Sequence, residues 1–285
     1  TISKMYYFSF NGPDLDLYVW AKQPLESIEC YTALTGRPFT VPKWSFGYWA
    51  GGTGAYWSSE NGNGKTEIDL VKKVVEGYKK LGTMPVALYG EAVPSNTKSI
   101  YDYLKSNNIY MLGWNHPAAT WDIKNFNLDI LRQLCPGISD SELPGIKQKS
   151  NPSRFYGEWI WGDYTNPNAV TMIKNKMKNA WSYGLKGTMV DFGEYVEEAT
   201  YFSNGLTGDE MHNLYAYYYN KATNEAWKEG AAEDYILFAR AGCAGSQQFA
   251  ANFGGDQKTS FTGLEQAIKG GINISASGYS VWGSD

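Results

Sequence analysis

Short apolar runs that stop on a charged or polar residue, each followed by a helical pattern, constrain this chain more than any other feature. From Trp44 onward the runs Ser45–Ala50, Pro85–Tyr89, Ile109–Trp114, Ile160–Asp163, Gly187–Asp191, Ile236–Arg240, Ala251–Gly254 and Ile272–Ala276 read as strands. Between them lie helical stretches, such as the one with Ile68, Val71, Val75, Tyr78 and Leu81 on one face and lysines on the other. Others fall near Ser99–Lys105, Lys124–Leu134, 168–183, Asp209–Lys228 and Gly263–Lys269, and Thr165-Asn-Pro-Asn168 makes a good helix start. Strands that are apolar throughout and alternate with helices predict parallel βαβ units with both sheet faces covered. Close to eight such units predict a (β/α)8 TIM barrel, whose functional groups gather at the carboxyl ends of the strands. Glu91, Asp163, Asp191, Arg240, Asp256 and Asp285 all fall there, and the chain stops before a last strand, so the barrel is expected to be truncated.

The first residues follow another grammar. Tyr6, Phe8 and Phe10 alternate, and Leu15, Leu17 and Val19 repeat the alternation after Asn11-Gly-Pro13, a hairpin-like signal too short to fold alone. Residues 1–28 are therefore expected to end a β-sandwich domain, 29–43 to form a linker and 44–285 to form the barrel. A chain that opens on Thr1 and breaks off in this way reads as a piece of a larger protein, with further domains on both sides. Pro136–Phe155 has no clear period and reads as a long excursion on the functional face.

Composition narrows the function classes. A formal charge of −4 without basic runs excludes nucleic acid and anionic membrane as main partners, and no stretch approaches the length of a membrane span. Three widely spaced cysteines and two histidines offer neither a disulfide framework nor a metal-ligand set, so no metal or other cofactor is expected. Aromatic residues make up 16% of the chain, and flat apolar rings suit the C–H faces of sugars, which points to an oligosaccharide or glycoside as partner. Two carboxylates at one end of a sheet, Asp191 and Asp256, are the usual apparatus for cleaving a glycosidic bond. Each could instead cap a helix or fasten a turn.

Several motifs in order give these residues a family resemblance. The chain from about residue 30 to 285 resembles the catalytic barrel of glycoside hydrolase family 31, the retaining α-glycosidases and α-transglucosylases. Leu34-Thr-Gly-Arg-Pro38 with Val41-Pro-Lys-Trp-Ser-Phe-Gly47 resembles the family's entry into the first strand, and Asp163-Tyr-Thr-Asn-Pro167 resembles its Asp-x-Thr-Asn-Pro segment. Val190-Asp-Phe-Gly-Glu194 resembles the nucleophile motif. Arg240 to Phe249 followed by Phe253-Gly-Gly-Asp256 resembles the arginine-to-acid stretch, and Gly278 to Asp285 the approach to Asp-x-x-Gly-Phe.

The resemblance implies Asp191 as nucleophile and Asp256 as general acid/base. It implies Arg240 and Asp285 as ligands of sugar hydroxyls or supports of the carboxylates, and Glu194 as a hydrogen-bonding support. It places Glu91, Phe155 and Phe253 around the substrate; independently of it, Trp49, Trp114, Phe155, Phe192 and Phe253 are expected to form one aromatic wall for stacking on a sugar. Phe-Gly after Asp191 is similar to the branch that contains sulfoquinovosidases, but that branch's Arg and Trp sulfonate reader has no counterpart in Glu91-Ala-Val-Pro-Ser-Asn96. A glutamate there repels a sulfonate, so a neutral α-glucoside, α-galactoside or α-N-acetylgalactosaminide is the expected substrate. The expected activity is hydrolysis of a terminal α-linked sugar, with α-glycosyl transfer or non-catalytic carbohydrate binding as the alternatives.

Overall fold

The structure is a computed structural model that describes residues 14–51, 67–90, 97–120, 160–196, 201–231 and 234–284. Glu91, Phe155 and Asp285, the Gly-rich stretch after Gly51, the expected helix 124–134 and the excursion 136–155 lie outside the described residues.

Among the described residues, seven strands form one parallel sheet in the order β1 (Trp49–Gly51), β2 (Ala87–Tyr89), β3 (Tyr110–Asn115), β6 (Gly187–Val190), β7 (Ile236–Ala239), β8 (Ala251–Phe253) and β9 (Trp282–Gly283). Helices α2 (Glu67–Leu81), α3 (Thr97–Ser106), α4 (Pro167–Ser182), α6 (Leu214–Ala231) and α7 (Phe261–Ala276) connect them, with the short α5 (Gly208–Met211) before α6. The sheet curls, because β1 and β9, at its two ends, line one cavity of about 600 Å³. The described residues thus form seven strands of a truncated (β/α)8 barrel frame, open between β9 and β1.

The central strands must be apolar because β6, β7 and β8 are buried along their whole length. Ala87, Leu112, Met189, Ile236, Phe238 and Phe253 point into the barrel interior. Their neighbours Leu88, Met111, Val190, Leu237 and Ala239 point outward against the helices. The helices answer with Val71 and Val75 from α2, Ile100 and Leu104 from α3, Ile173 and Met177 from α4, and Tyr215, Tyr219 and Trp227 from α6. Burying one such side chain stabilises by about 1.5–3 kcal/mol, so this double layer is the main source of stability.

Three expectations are corrected. Ile160–Trp161 (β5) pairs antiparallel with β4 (Ala118–Thr120) outside the main sheet, so it is not a barrel strand. Ile272–Ala276 is not a strand but the end of α7, which runs straight through Gly270 and Gly271. A Cβ on Gly271 would stand 2.0 Å from Trp282 Cζ2, so the glycine that looks like a helix breaker is the seat of the β9 tryptophan. The seventh parallel strand is Trp282–Gly283 itself. Leu81, placed on the apolar face of α2, is 76% exposed.

Ahead of the barrel the chain is helical. Residues 24–35 form a helix, α1 (Pro24–Thr35), opened by Pro24 and a Gln23/Glu26 capping box. It docks on the β7–β8 connection: Gln247 Nε2 donates to Thr35 Oγ1 at 2.9 Å and to Gly36 O at 2.8 Å, and Gln248 Nε2 donates to Thr35 O at 3.0 Å. Leu15, Leu17 and Val19 are exposed and belong to no strand among the described residues.

Candidate active site

The alternation that fills the barrel also sets the site. Inward positions on β3 run Tyr110, Leu112, Trp114; on β6 and the residue after it, Met189, Asp191; on β7 and the residue after it, Ile236, Phe238, Arg240. Trp114, Asp191 and Arg240 are thus neighbours at the carboxyl end of three adjacent parallel strands. The ladder continues past the strands to hold them there: Asp191 N donates to Asn115 O at 2.9 Å and Arg240 N to Val190 O at 3.1 Å.

Asp191 is buried, 8% exposed, and both its oxygens are engaged. Trp114 Nε1 donates to Oδ2 at 2.9 Å. Phe192 N donates to Oδ1 at 2.9 Å, and Arg240 Nη1 stands 3.0 Å from the same oxygen. The carboxylate is thereby fixed in one orientation, each oxygen held by at least one donor. Arg240 also reaches Glu194, with Nη2 2.5 Å from Oε1. The cluster therefore holds two carboxylates and one guanidinium.

Behind this layer the wall is aromatic. Asn115 Nδ2 donates to Tyr219 OH at 2.9 Å, and Tyr219 stacks on Tyr164 with ring centres 5.2 Å apart. Burial, with the charge of Asp191 adding to it, pushes the Tyr219 phenol well above its ordinary range and keeps it neutral. Gly193, at φ +102°, takes a backbone that side-chain-bearing residues rarely adopt as the chain turns after Asp191 beside Tyr219 and Ala241. His116 packs on Trp114 with ring centres 4.9 Å apart and is 5% exposed. Burial pulls its pKa down to about 3, so the imidazole is uncharged at neutral pH.

Asp256 follows β8 by three residues and is exposed. Because β6, β7 and β8 are parallel, it lies at the same end of the sheet as Asp191, with Arg240 on the strand between. Gly255, at φ +76°, brings its backbone against Arg240; a Cβ there would be 3.6 Å from Arg240 Cδ. Asp256 lines its own hollow of about 510 Å³ with Gln257, Lys258, Trp282 and Ser284.

Of the expected aromatic wall, Trp114 and Phe192 stand at the carboxylate cluster, their rings edge to face at 6.2 Å. Trp49 and Phe253 do not. Both lie deeper in the barrel against Phe238, at 5.1 and 6.2 Å, and line the cavity at the open seam. Asp163 is a fastening: its oxygens accept from Thr165 N and Oγ1 and from Ser203 N and Oγ, tying the loop after β6 to the start of α4. Asn115 and Tyr219 were not singled out from sequence, although Asn115 sits on the outward parity of β3 where an apolar residue is the rule.

A family model for the glycosyl hydrolases family 31 TIM-barrel domain matches residues 38–285. The chain belongs to glycosyl hydrolase family 31. Among curated relatives it is 25% identical to an alpha-xylosidase from Emericella nidulans, over 97% of this chain and 36% of that protein. It is 25% identical to an isomaltosyltransferase from Sporosarcina globispora, over 95% and 28%. With a sulfoquinovosidase from Escherichia coli it shares 27% identity over 98% and 44%. The chain thus spans less than half the length of these relatives. Members of family 31 act on glycosides, by hydrolysis or by transfer, and the barrel described above is the domain of this chain that belongs to it.

Proposed function

We propose that this barrel is the catalytic domain of a retaining enzyme acting on terminal α-linked sugars, with Asp191 as nucleophile and Asp256 as general acid/base. The observation that carries the reading is the state of Asp191: a buried carboxylate at a strand end, fixed through both oxygens by an indole N–H, a backbone N–H and a guanidinium. Attack on the anomeric carbon gives a glycosyl-aspartate, which water opens in a second displacement. Exposed Asp256, on the same sheet end, is the group that would protonate the leaving oxygen and then activate the water. Arg240 orients the nucleophile through Oδ1 and also pairs with Glu194.

The charge count supports a neutral sugar. Arg240 already faces two carboxylates, so its charge is committed, and Glu91 in the sequence adds another anion near the second strand. The expected order is a neutral glucoside, galactoside or N-acetylgalactosaminide above a sulfonated sugar, although one relative is named for a sulfonated one. The likeness to an isomaltosyltransferase favours a second reading, in which a sugar hydroxyl intercepts the same intermediate.

The test uses the full-length protein and a panel of nitrophenyl α-glycosides. A 5-fluoroglycosyl fluoride of the best-turned-over sugar should label Asp191, and the product should retain its anomeric configuration. Asp256→Ala should depress turnover of an alkyl leaving group about 10²–10⁴-fold more than that of nitrophenolate, which departs without a proton. Label on Asp256, or an inverted product, would overturn the assignment. Product analysis with added acceptor sugar separates transfer from hydrolysis.

A further inference from the structure

Phe192 has a backbone that a bulky side chain rarely adopts. Among the described non-glycine residues only Asn108 and Phe192 have positive φ, both at +59°. Asparagine tolerates that region well; phenylalanine does so only where its surroundings impose it. The turn has three results. It aims the Phe192 amide at Asp191 Oδ1, at 2.9 Å. It lays the ring under the Arg240 guanidinium, whose Cζ is 4.3 Å from the ring centre. It sets the ring edge to face with Trp114, the donor to Asp191 Oδ2.

Arg240 needs such a support. Its Nε and Nη2 are buried and make no hydrogen bond, since the close approach to Glu194 is off the hydrogen-bonding direction. The contacts to Asp191 and Glu194 lie at the rim of the guanidinium, and the flat ring beneath adds a face contact that helps hold its plane. We propose that Phe192 is a positioning residue, which orients Arg240 and Trp114 on the two oxygens of Asp191, and is not a platform for the sugar. One face of the ring carries the guanidinium, and its contact with Trp114 is edge to face. A residue with a purely packing role would be buried on a relaxed backbone, whereas this one is half-buried on a strained one. The inference rests on Asp191 being the nucleophile.

The experiment measures kcat, KM and melting temperature of the full-length protein on whichever nitrophenyl α-glycoside it turns over fastest. Phe192→Leu keeps the bulk and removes the π face; kcat should fall about 10-fold with KM within 2-fold, the range expected for a desolvated cation–π contact. Phe192→Tyr should restore kcat to within about 3-fold of the parent. Phe192→Gly relieves the backbone, so its melting temperature should stay within a few degrees while kcat falls at least as far as in the leucine variant. Phe192→Leu added to Arg240→Lys should cost less than about 2-fold more than Arg240→Lys alone, because the two act as one unit. A rise in KM at constant kcat would make Phe192 a sugar platform and overturn the proposal, as would unchanged kinetics. A glycine variant that melts early but keeps its kcat would assign a packing role instead. Asp191→Asn is assayed beside them: residual turnover there defeats the nucleophile assignment, whereas a dead Asp191→Asn with a normal Phe192→Leu defeats only this inference.

Discussion

Trp114 and Asp191 meet across two neighbouring parallel strands: the indole Nε1 near the end of β3 donates to the carboxylate Oδ2 just past β6 at 2.9 Å. Both occupy inward positions, so the register of one strand pair, Trp114 beside Met189, decides that the bond can form. A shift of that register by one residue would turn the carboxylate out of the barrel.

Trp114→Phe removes this donor and keeps a ring against Phe192 and His116. A hydrogen bond to a charged group contributes about 1.5–3 kcal/mol, so kcat/KM should fall about 10–100-fold. The denaturant midpoint should change little, since the apolar surface is largely retained. Steady-state kinetics and a urea titration on the same preparation read both numbers.

Arg240→Met leaves Asp191 and Glu194 without their shared cation. Both contacts are partly shielded, with the Arg240 side chain 18% exposed, so the fold should lose about 2–3 kcal/mol at neutral pH. Glu194→Gln in the same background removes one of the two facing charges and should return about 1 kcal/mol. Equal stability of the single and double variants in chemical denaturation would show that Glu194 feels no repulsion.

His116 makes stability depend on pH. Its folded pKa, about 3, lies below the unfolded value of 6.5 because burial disfavours the charged ring. The contribution of the neutral ring is therefore complete above pH 6.5 and is lost as pH falls toward 3, because the unfolded chain takes up the proton first. The slope is about 1.4 kcal/mol per pH unit, or about 2 kcal/mol lost at pH 5. His116→Gln should flatten the unfolding free energy between pH 7 and pH 5; an unchanged slope would assign the acid sensitivity to other groups.

Asp163→Asn tests the difference between a fastening and a reacting carboxylate. The buried side chain accepts from Thr165 and Ser203, so its loss should destabilise the fold by about 2–3 kcal/mol. Activity per folded molecule should stay within about 3-fold of the parent. A catalytic loss comparable to that of Asp191→Asn would place Asp163 in the reaction.

The parallel (β/α) architecture was legible in the sequence because burial on both faces leaves no choice of residue: Leu88, Met111, Val190 and Leu237 must be apolar toward the helices, as Ala87, Leu112, Met189 and Phe238 must be toward the interior. The placement of Asp191 and Arg240 beyond such runs was equally plain. Two strands were misread, each for a physical reason. Ile160–Trp161 has strand propensity but pairs with β4 outside the barrel, and pairing partners are a long-range matter. Ile272–Ala276 follows two glycines that would end an isolated helix, yet Trp282 packs into the gap at Gly271 and the helix continues. Local sequence also could not separate Asp163 from Asp191, since both end short apolar runs. The amino-acid sequence by itself determined the layers, the strand ends and the motif order that marks the family. Only tertiary structure decided which carboxylate is fastened by Ser203 and which by Arg240 and Trp114, because those partners arrive from elements 40 to 77 residues away.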